Sequence, residues 1–267
     1  MKGKRRKALG QHFLKSPGIL KKIVHCIHPE KNDLIIEIGA GHGALTSLLA
    51  EKAGCLLAVE KDASLLPELE NLKSETTVIV HQDILKLDLE QLVQQKLFPG
   101  CTVKIVGNLP YSISSPILFT LLKNKDIFSK AVFLLQQEVT NRLTAAPGSK
   151  DYAPVSIRFQ NYFIVNKCFS VPPGAFSPPP KVYSSLVTLE KRTQPLFEPP
   201  NVEDYIRFLK SAFKHRRKTL KNNLRDQGLS NTLLDEALLK NGLKKNIRSE
   251  QVSPGQFKNL YRFLTRE

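Results

Sequence analysis

Residues 34–43 read Leu-Ile-Ile-Glu-Ile-Gly-Ala-Gly-His-Gly, an apolar run that ends in a glycine-rich loop. The apolar part has the length and composition of a buried strand. Glycines directly after a strand let the backbone turn into a helix and approach a ligand closely. Strand-like and helix-like segments alternate from this point to about residue 189. The alternation predicts an α/β fold with a doubly wound, mostly parallel sheet, whose ligands bind at the carboxyl ends of the strands.

The composition changes at residues 191–200, which are rich in proline and mark a linker. We therefore expect two domains, an α/β domain over residues 1–191 and a small helical domain over residues 192–267. Residues 155–171 read as β-rich within the first domain. Residues 215–225 are predicted to form one of the helices of the second.

The net charge indicates a polyanionic partner. The 267 residues carry a formal charge of +16, with an isoelectric point near 9.7. The charge is uneven, since residues 192–267 hold 16 Lys and Arg against 8 Asp and Glu. A basic domain of this kind is typical of proteins that bind nucleic acid.

The densest cationic run, residues 214–218, lies in the helical domain. Leu220 and Leu224 are one helical turn apart and define an apolar face, so the cations are predicted to project from the opposite side. The candidates for phosphate contacts are Arg216, Arg217, Lys218 and Lys221. The alternative is a helix face that only water contacts.

Two acidic residues follow the next two strands of the predicted sheet. Glu60 ends the second strand, about 20 residues beyond the first glycine of the loop, where dinucleotide-binding proteins place the acid that binds ribose hydroxyls. Asp83 ends the third strand and is a candidate for binding the adenine amine. NAD and S-adenosylmethionine both carry adenine and ribose, so Gly39, Glu60 and Asp83 fit either cofactor.

The tetrapeptide Asn108-Leu109-Pro110-Tyr111 follows the apolar run of the fourth strand. An amide oxygen can accept a hydrogen bond from an exocyclic N–H, proline fixes the turn, and a tyrosine ring offers a face to a base. Such tetrapeptides are typical of methyltransferases that act on amino nitrogens, although a simple proline turn is the alternative. An NAD(P) oxidoreductase would not need this loop. The presence of the loop therefore favours S-adenosylmethionine over NAD as the cofactor.

Two further loops contain aromatic residues. Residues 10–14, Gly-Gln-His-Phe-Leu, are a candidate lid over a cofactor, with a simple helix entry as the alternative. Residues 176–181, Phe-Ser-Pro-Pro-Pro-Lys, predict a stiff loop that displays Phe176, which together with Tyr111 would sandwich a flipped base. The alternative is a connection between strands with a buried phenylalanine.

Several classes of protein are disfavoured by the sequence. The four cysteines form no Cys-x-x-Cys pair, which suggests neither a zinc site nor a disulfide framework. No apolar stretch approaches the roughly 18 residues of a membrane span. The N-terminus is basic but lacks the apolar region of a signal peptide. Arg-rich, acid-poor N-termini also occur in transit peptides, but the residues that follow here look functional, so we expect a cytoplasmic protein. We expect neither a metal nor a membrane partner.

Together these motifs resemble the small-subunit ribosomal RNA adenine dimethyltransferase family. The matching segments are residues 10–14, 37–41, 108–114, 135–139 and 176–182. Residues 213–219 resemble the helical domain of the bacterial branch and argue against the erythromycin-resistance methylases, which share the catalytic half. The resemblance implies a Rossmann-like S-adenosylmethionine-dependent methyltransferase domain followed by a helical RNA-binding domain.

The resemblance also implies an activity and a set of site residues. The family dimethylates N6 of two adjacent adenosines in the 3′-terminal hairpin of small-subunit (16S-type) rRNA during ribosome biogenesis. The expected partners are the small ribosomal subunit and its rRNA, bound by a monomer. The cofactor contacts would be His12, Leu14, Gly39, Glu60, Asp83 and Asn108. The adenine pocket would comprise Asn108, Leu109, Pro110, Tyr111 and Phe176. His12 replaces the asparagine usual in bacterial members, and histidine can also form hydrogen bonds. A non-catalytic RNA-binding assembly factor is the remaining alternative.

Overall fold

The computed structural model describes residues 11–265; the basic arm at residues 1–7 and Gly10 lie outside them. The chain divides into two compact units. The first contains the described residues up to Thr140 together with Ile164–Lys191, and the second contains Asn141–Phe163 and the described residues from Arg192 onward.

Within the described residues, seven strands form one sheet. They belong to the first unit, except that Phe163, the first residue of one strand, belongs to the second. They are β2 Asp33–Ile38, β3 Cys55–Glu60, β4 Thr77–His81, β5 Thr102–Asn108, β6 Lys130–Gln136, β7 Phe163–Val171 and β9 Ser184–Lys191. Their order is β4-β3-β2-β5-β6-β9-β7. Two short strands, β1 Phe13–Leu14 and β8 Phe176–Ser177, pair with each other in a separate sheet. The five strands from β4 to β6 are parallel, and β9 is antiparallel to β6. The predicted doubly wound, mostly parallel sheet is confirmed.

Short helices connect the strands, as a parallel sheet requires. They are α1 Pro17–Ile27, α2 Thr46–Ala50, α3 Leu66–Glu70, α4 Leu89–Gln94, α5 Ser114–Lys123 and α6 Gln137–Thr144. The strand β2 is buried along its whole length, which explains its continuous apolar run. None of the helices in the described part of the chain is long and apolar enough to span a membrane.

A close approach of two strands fixes the residue before Asn108. A Cβ atom at Gly107 would lie 2.4 Å from the carbonyl oxygen of Ile38 in the neighbouring strand. Only glycine therefore fits where β5 passes β2. This packing positions Asn108 at the carboxyl end of β5, beside the loop that follows β2.

The prediction that residues 155–171 are β-rich is wrong in its first half. Pro154–Tyr162 is a helix, α7, and only β7 is a strand. Pro154 occupies the first turn, where a missing N–H costs nothing, and the hydroxyl of Ser156 accepts a hydrogen bond from the N–H of Ala153. These local signals for a helix start outweigh the β-branched composition of the segment.

The second unit is helical. Its remaining helices are α8 Val202–Ala212, α9 Leu220–Arg225, α10 Asn231–Lys240 and α11 Pro254–Thr265. Tyr152 and Ile157 belong to the same hydrophobic cluster as Phe208 and Leu209 of α8. Because of this packing, Asn141–Phe163 groups with the helical unit, whereas the sequence analysis assigned it to the first domain.

The helix predicted over residues 215–225 is shorter than expected. It begins at Leu220, and the hydroxyl of Thr219 caps it by accepting a hydrogen bond from the N–H of Asn222. Residues 214–218 therefore form a turn between α8 and α9. Because the cap residue Thr219 has an extended backbone, the helix cannot begin before it. The cationic run, which precedes Thr219, therefore stays outside the helix.

A buried ion pair links β5 to the start of β2. The ammonium of Lys104 lies 2.7 Å from a carboxylate oxygen of Asp33 and also donates to the carbonyl of His28 at 2.7 Å. The same carboxylate oxygen accepts from the N–H of Glu30. The Asp33 side chain is almost completely buried, so its charge depends on Lys104 for compensation.

Replacing Lys104 with methionine should therefore destabilise the protein by about 3–5 kcal/mol, because Asp33 would remain buried without a cation. Urea unfolding followed by circular dichroism measures the change. The double variant Lys104→Met/Asp33→Asn removes both charges and should recover much of the loss. A Lys104→Met protein as stable as wild type would show that the pair contributes nothing.

Candidate functional site

A cavity of about 350 Å3 lies at the carboxyl ends of β2, β3, β4 and β5. This volume is within the range of pockets that bind small molecules. The predicted residues that line it are His12, Gly39, Glu60, Asp83, Asn108, Leu109, Pro110 and Tyr111. Segments that are far apart in the sequence therefore converge where open α/β sheets bind their ligands.

A second, smaller cavity of about 60 Å3 shares part of this lining. Phe13, Gly39, Gly41 and Asn108 border both cavities. The predicted cofactor residue Leu14 lines the small cavity and is absent from the lining of the large one. Leu14 therefore borders a different cavity from Glu60 and Asp83, which line the large one.

The Glu60 carboxylate holds the glycine loop in place. One oxygen accepts from the N–H of Gly41 at 2.9 Å, and the other accepts from the N–H groups of Lys61 and Asp62, both at 2.8 Å. Gly41 has a φ of 59°, a conformation that favours glycine. A carboxylate has about four lone-pair sites, so Glu60 retains one for a further donor.

The Asp83 carboxylate is engaged in a similar way. One oxygen lies 2.8 Å from the ammonium of Lys61, and the other accepts from the N–H of Leu85 at 3.1 Å. The hydrogen bond from Lys61 holds the pKa of Asp83 below its usual value. The carboxylate is therefore ionised at neutral pH and remains an acceptor.

The orientation of the Asn108 amide follows from its partner. Its nitrogen lies 2.7 Å from the carbonyl oxygen of His12. A carbonyl can only accept, so the NH2 group must face His12, and the amide oxygen is the atom available to a donor. This is the acceptor that the sequence analysis assigned to Asn108.

Two short strands bring the N-terminal motif to the cavity. Strand β1, Phe13–Leu14, pairs antiparallel with β8, Phe176–Ser177. Nδ1 of His12 lies 2.7 Å from the carbonyl oxygen of Pro178, so Nδ1 carries the proton of this hydrogen bond. The ring of Phe13 covers the glycine loop so closely that a Cβ at Gly41 would lie 3.0 Å from it.

The prediction that a stiff loop displays Phe176 is wrong. Its side chain is 1% exposed and packs in a hydrophobic cluster with Leu14, Val171 and Leu186. It is also absent from the lining of the large cavity. Pairing of β8 with β1 turns the ring into the core, so the alternative of a buried phenylalanine in a strand connection is correct.

Tyr111 forms the side of the cavity nearest to this connection. Its ring centroid lies 5.2 Å from that of His12, and its hydroxyl forms a short hydrogen bond with the hydroxyl of Ser184. Burial raises the pKa of Tyr111 above its usual value, so the hydroxyl stays protonated.

The cationic residues of the second unit fall into two groups. Residues 214–218 are exposed, but a terminal nitrogen of Arg216 donates to the carbonyl of Lys150 at 2.5 Å. Lys221 is only 20% exposed and lies 2.6 Å from Asp235. The ion pair directs Lys221 towards α10, which contradicts its prediction as an outward-facing phosphate contact.

Glu37, for which the sequence indicated no function, lines the small cavity. The side chain is 2% exposed, and Oε2 has no hydrogen-bond partner among the described residues. Burial, together with the charge of nearby Glu60, raises the pKa of Glu37 to about 8. The carboxyl group is therefore largely protonated at neutral pH.

Gln11 was also missed as an individual residue. It lines the large cavity, and its Oε1 is buried without a partner among residues 11–265. Its position next to His12 in the N-terminal motif was the available signal. No group of three His, Cys, Asp or Glu residues that could hold a metal ion occurs in the described part of the chain.

Comparison with known proteins assigns the chain to a family. The model of the family described as ribosomal RNA adenine dimethylase matches residues 2–266. The chain belongs to this family. It is 41% identical to the ribosomal RNA small subunit methyltransferase A of Geobacter metallireducens over 263 residues, 97% of this chain and 95% of the relative. The enzyme of the same name from Streptococcus thermophilus is 41% identical over 261 residues, with 96% and 90% coverage.

Solved structures share the fold of this chain. A dimethyladenosine transferase from Plasmodium falciparum superposes with a TM-score of 0.78 at 25% identity, covering 96% of this chain and 98% of the other. The 23S rRNA methyltransferase ErmE shares the fold with a TM-score of 0.72 at 23% identity, with 95% and 99% coverage. The α/β fold is thus that of Rossmann-like methyltransferases.

The raised pKa of Glu37 predicts a pH-dependent stability. The unfolded chain loses this proton near its ordinary pKa of about 4.3, whereas the folded protein keeps it up to about pH 8. The stability that the buried neutral acid contributes is therefore fully present below the pKa of the unfolded chain. It is lost as the pH rises through the pKa of the folded protein.

Glu37→Gln is neutral at every pH, so its stability relative to wild type should rise with pH by up to about 1.4 kcal/mol per unit between these values. Urea unfolding over a pH series that spans both values measures the difference. The exposed Glu75→Gln is the matched control and should show no such trend. A constant difference for Glu37→Gln would mean that Glu37 is ionised in the folded protein.

Proposed function

We propose that this protein transfers methyl groups to N6 of two adjacent adenosines in the 3′-terminal hairpin of small-subunit rRNA, converting both to dimethyladenosine. The observation that carries the proposal is the cavity in which the Asn108 amide oxygen and the Leu109–Tyr111 turn meet the acids at the ends of β3 and β4. Membership of the ribosomal RNA adenine dimethylase family supports the same reaction. The proposed setting is the cytoplasm during ribosome biogenesis, with the protein acting as a monomer.

The residues of the cavity fit S-adenosylmethionine. Glu60 keeps one acceptor site for a ribose hydroxyl, and Asp83 is an ionised acceptor for the adenine amine. Gly39 and Gly41 allow close approach at the loop between the two cavities. The unpartnered Oε2 of buried Glu37 adds a polar atom on the small cavity. His12, which lines the large cavity, would contribute to the same site.

S-adenosylmethionine supplies an electrophilic methyl group on a positively charged sulfur. The adenine amine is a weak nucleophile because its lone pair is delocalised into the ring. The Asn108 amide oxygen and the Leu109 carbonyl are acceptors that would hold the two N–H bonds out of the plane of the ring. The lone pair would then no longer be delocalised and would point towards the methyl group. Pro110 keeps the turn rigid, and Tyr111 provides the ring face for the base. Positioning of the amine would then supply most of the rate.

Methyl transfer with product mapping tests this function directly. The substrate is small subunits that lack the modification, and the donor is S-adenosylmethionine with a tritiated methyl group. The expected product is N6,N6-dimethyladenosine at two adjacent positions. Label in another nucleoside, or none, would overturn the proposal. Binding of subunits without transfer would instead favour the non-catalytic assembly factor.

Asn108→Ala removes the acceptor that orients the amine, so it should lower the rate of transfer on the order of 100-fold or more. Single-turnover methyl transfer measures the rate, and thermal unfolding checks the fold. Asn71→Ala, a change of the same type at an exposed position, is the control. Near-normal turnover of Asn108→Ala would remove Asn108 from the mechanism.

The exposed cations Arg217 and Lys218 are proposed to contact rRNA phosphates. Phosphate contacts release counterions, so replacing both with alanine should weaken subunit binding and flatten its salt dependence by about 0.7–0.9 logarithmic units per lost contact. Binding across a salt series measures the slope. Lys210→Ala/Lys244→Ala removes the same charge from other exposed positions of the unit. Equal slopes for the two variants would mean that only net charge matters.

A further inference from the structure

The connection between β8 and β9 is fixed to the cavity at both ends. Near its start, the carbonyl of Pro178 accepts a hydrogen bond from His12. At its end, the hydroxyl of Ser184 bonds to the hydroxyl of Tyr111. His12 and Tyr111 both line the large cavity. The intervening residues therefore lie along the rim of the cavity.

These rim residues include an exposed apolar pair beside a cation. Val182 is 45% exposed, Tyr183 is 52% exposed, and Lys181 is exposed as well. The backbone of Tyr183 is nevertheless held, because its carbonyl accepts from the N–H of Gln137 at 3.0 Å. The ring of Tyr183 is thus presented from a fixed backbone, in contrast to the ring of Phe176 in β8, which is buried.

We propose that Tyr183 stacks on a base of the rRNA that flanks the target adenosine, with Lys181 contacting the adjacent phosphate. The inference rests on the proposed function, since it requires an adenosine in the cavity. Extrusion of one nucleotide removes a stacking partner from its neighbour. Aromatic rings next to cations are the usual platform for single-stranded bases. Tyr183 lies outside the cavity lining, so it would hold the neighbouring base and leave the cavity to the target.

Steady-state methyl transfer to undermethylated small subunits tests Tyr183. Tyr183→Ala should raise KM for the subunit by roughly 5-fold to 100-fold through loss of stacking. The kcat and the affinity for S-adenosylmethionine should change little, and Tyr183→Phe should restore KM because the ring is kept. Leu97→Ala is the matched control, since Leu97 is 50% exposed and precedes the amino end of β5, whereas the cavity lies at the carboxyl ends of the strands.

The outcomes separate this inference from the function on which it rests. If wild type methylates subunits but Tyr183→Ala has the same KM as Leu97→Ala, the inference is overturned and the function stands. The inference also fails if Tyr183→Ala lowers affinity for S-adenosylmethionine, or if Tyr183→Phe is as impaired as Tyr183→Ala. An inactive wild type would overturn both proposals.

Discussion

The site depends on the hydrogen bonds that the Glu60 carboxylate accepts from the backbone. Its two oxygens accept from three backbone N–H groups, one in the loop after β2 and two directly after β3. Hydrogen bonds to an ionised acceptor are stronger than those between neutral groups, and this acceptor is 5% exposed. The carboxylate therefore joins the ends of two adjacent strands and fixes the floor of the cavity.

A wall of the same cavity is formed by segments that are distant from one another in the sequence. The pairing of β1 with β8 brings His12 and Phe13 over the glycine loop, and the Asn108 amide joins this wall to the end of β5. The two ends of the amide have different partners, since its NH2 group donates to the carbonyl of His12 and its oxygen remains an acceptor. A substitution at Asn108 thus affects the proposed chemistry and the attachment of the N-terminal segment together.

The sheet and the strand-end residues could be predicted from the sequence because they depend on local patterns. Apolar runs followed by Gly39, Glu60, Asp83 and Asn108 give both the strands and the edge where the site lies. The burial of the Phe176 side chain could not be predicted. It depends on the pairing of β8 with β1, which lies more than a hundred residues away in the sequence. The same holds for Lys221, whose partner Asp235 lies on another helix. Glu37 was visible in the glycine motif, but its protonation depends on burial by the whole fold.

Calorimetric titration of S-adenosylmethionine into wild type and Glu60→Gln tests the central claim most directly. Both Glu60 oxygens accept backbone N–H groups, so the glutamine NH2 must face at least one donor and lose the remaining acceptor site. The expected result is that Glu60→Gln remains folded and loses about 1.5–3 kcal/mol of binding free energy. Unchanged affinity in Glu60→Gln would contradict the assignment of this cavity to the cofactor.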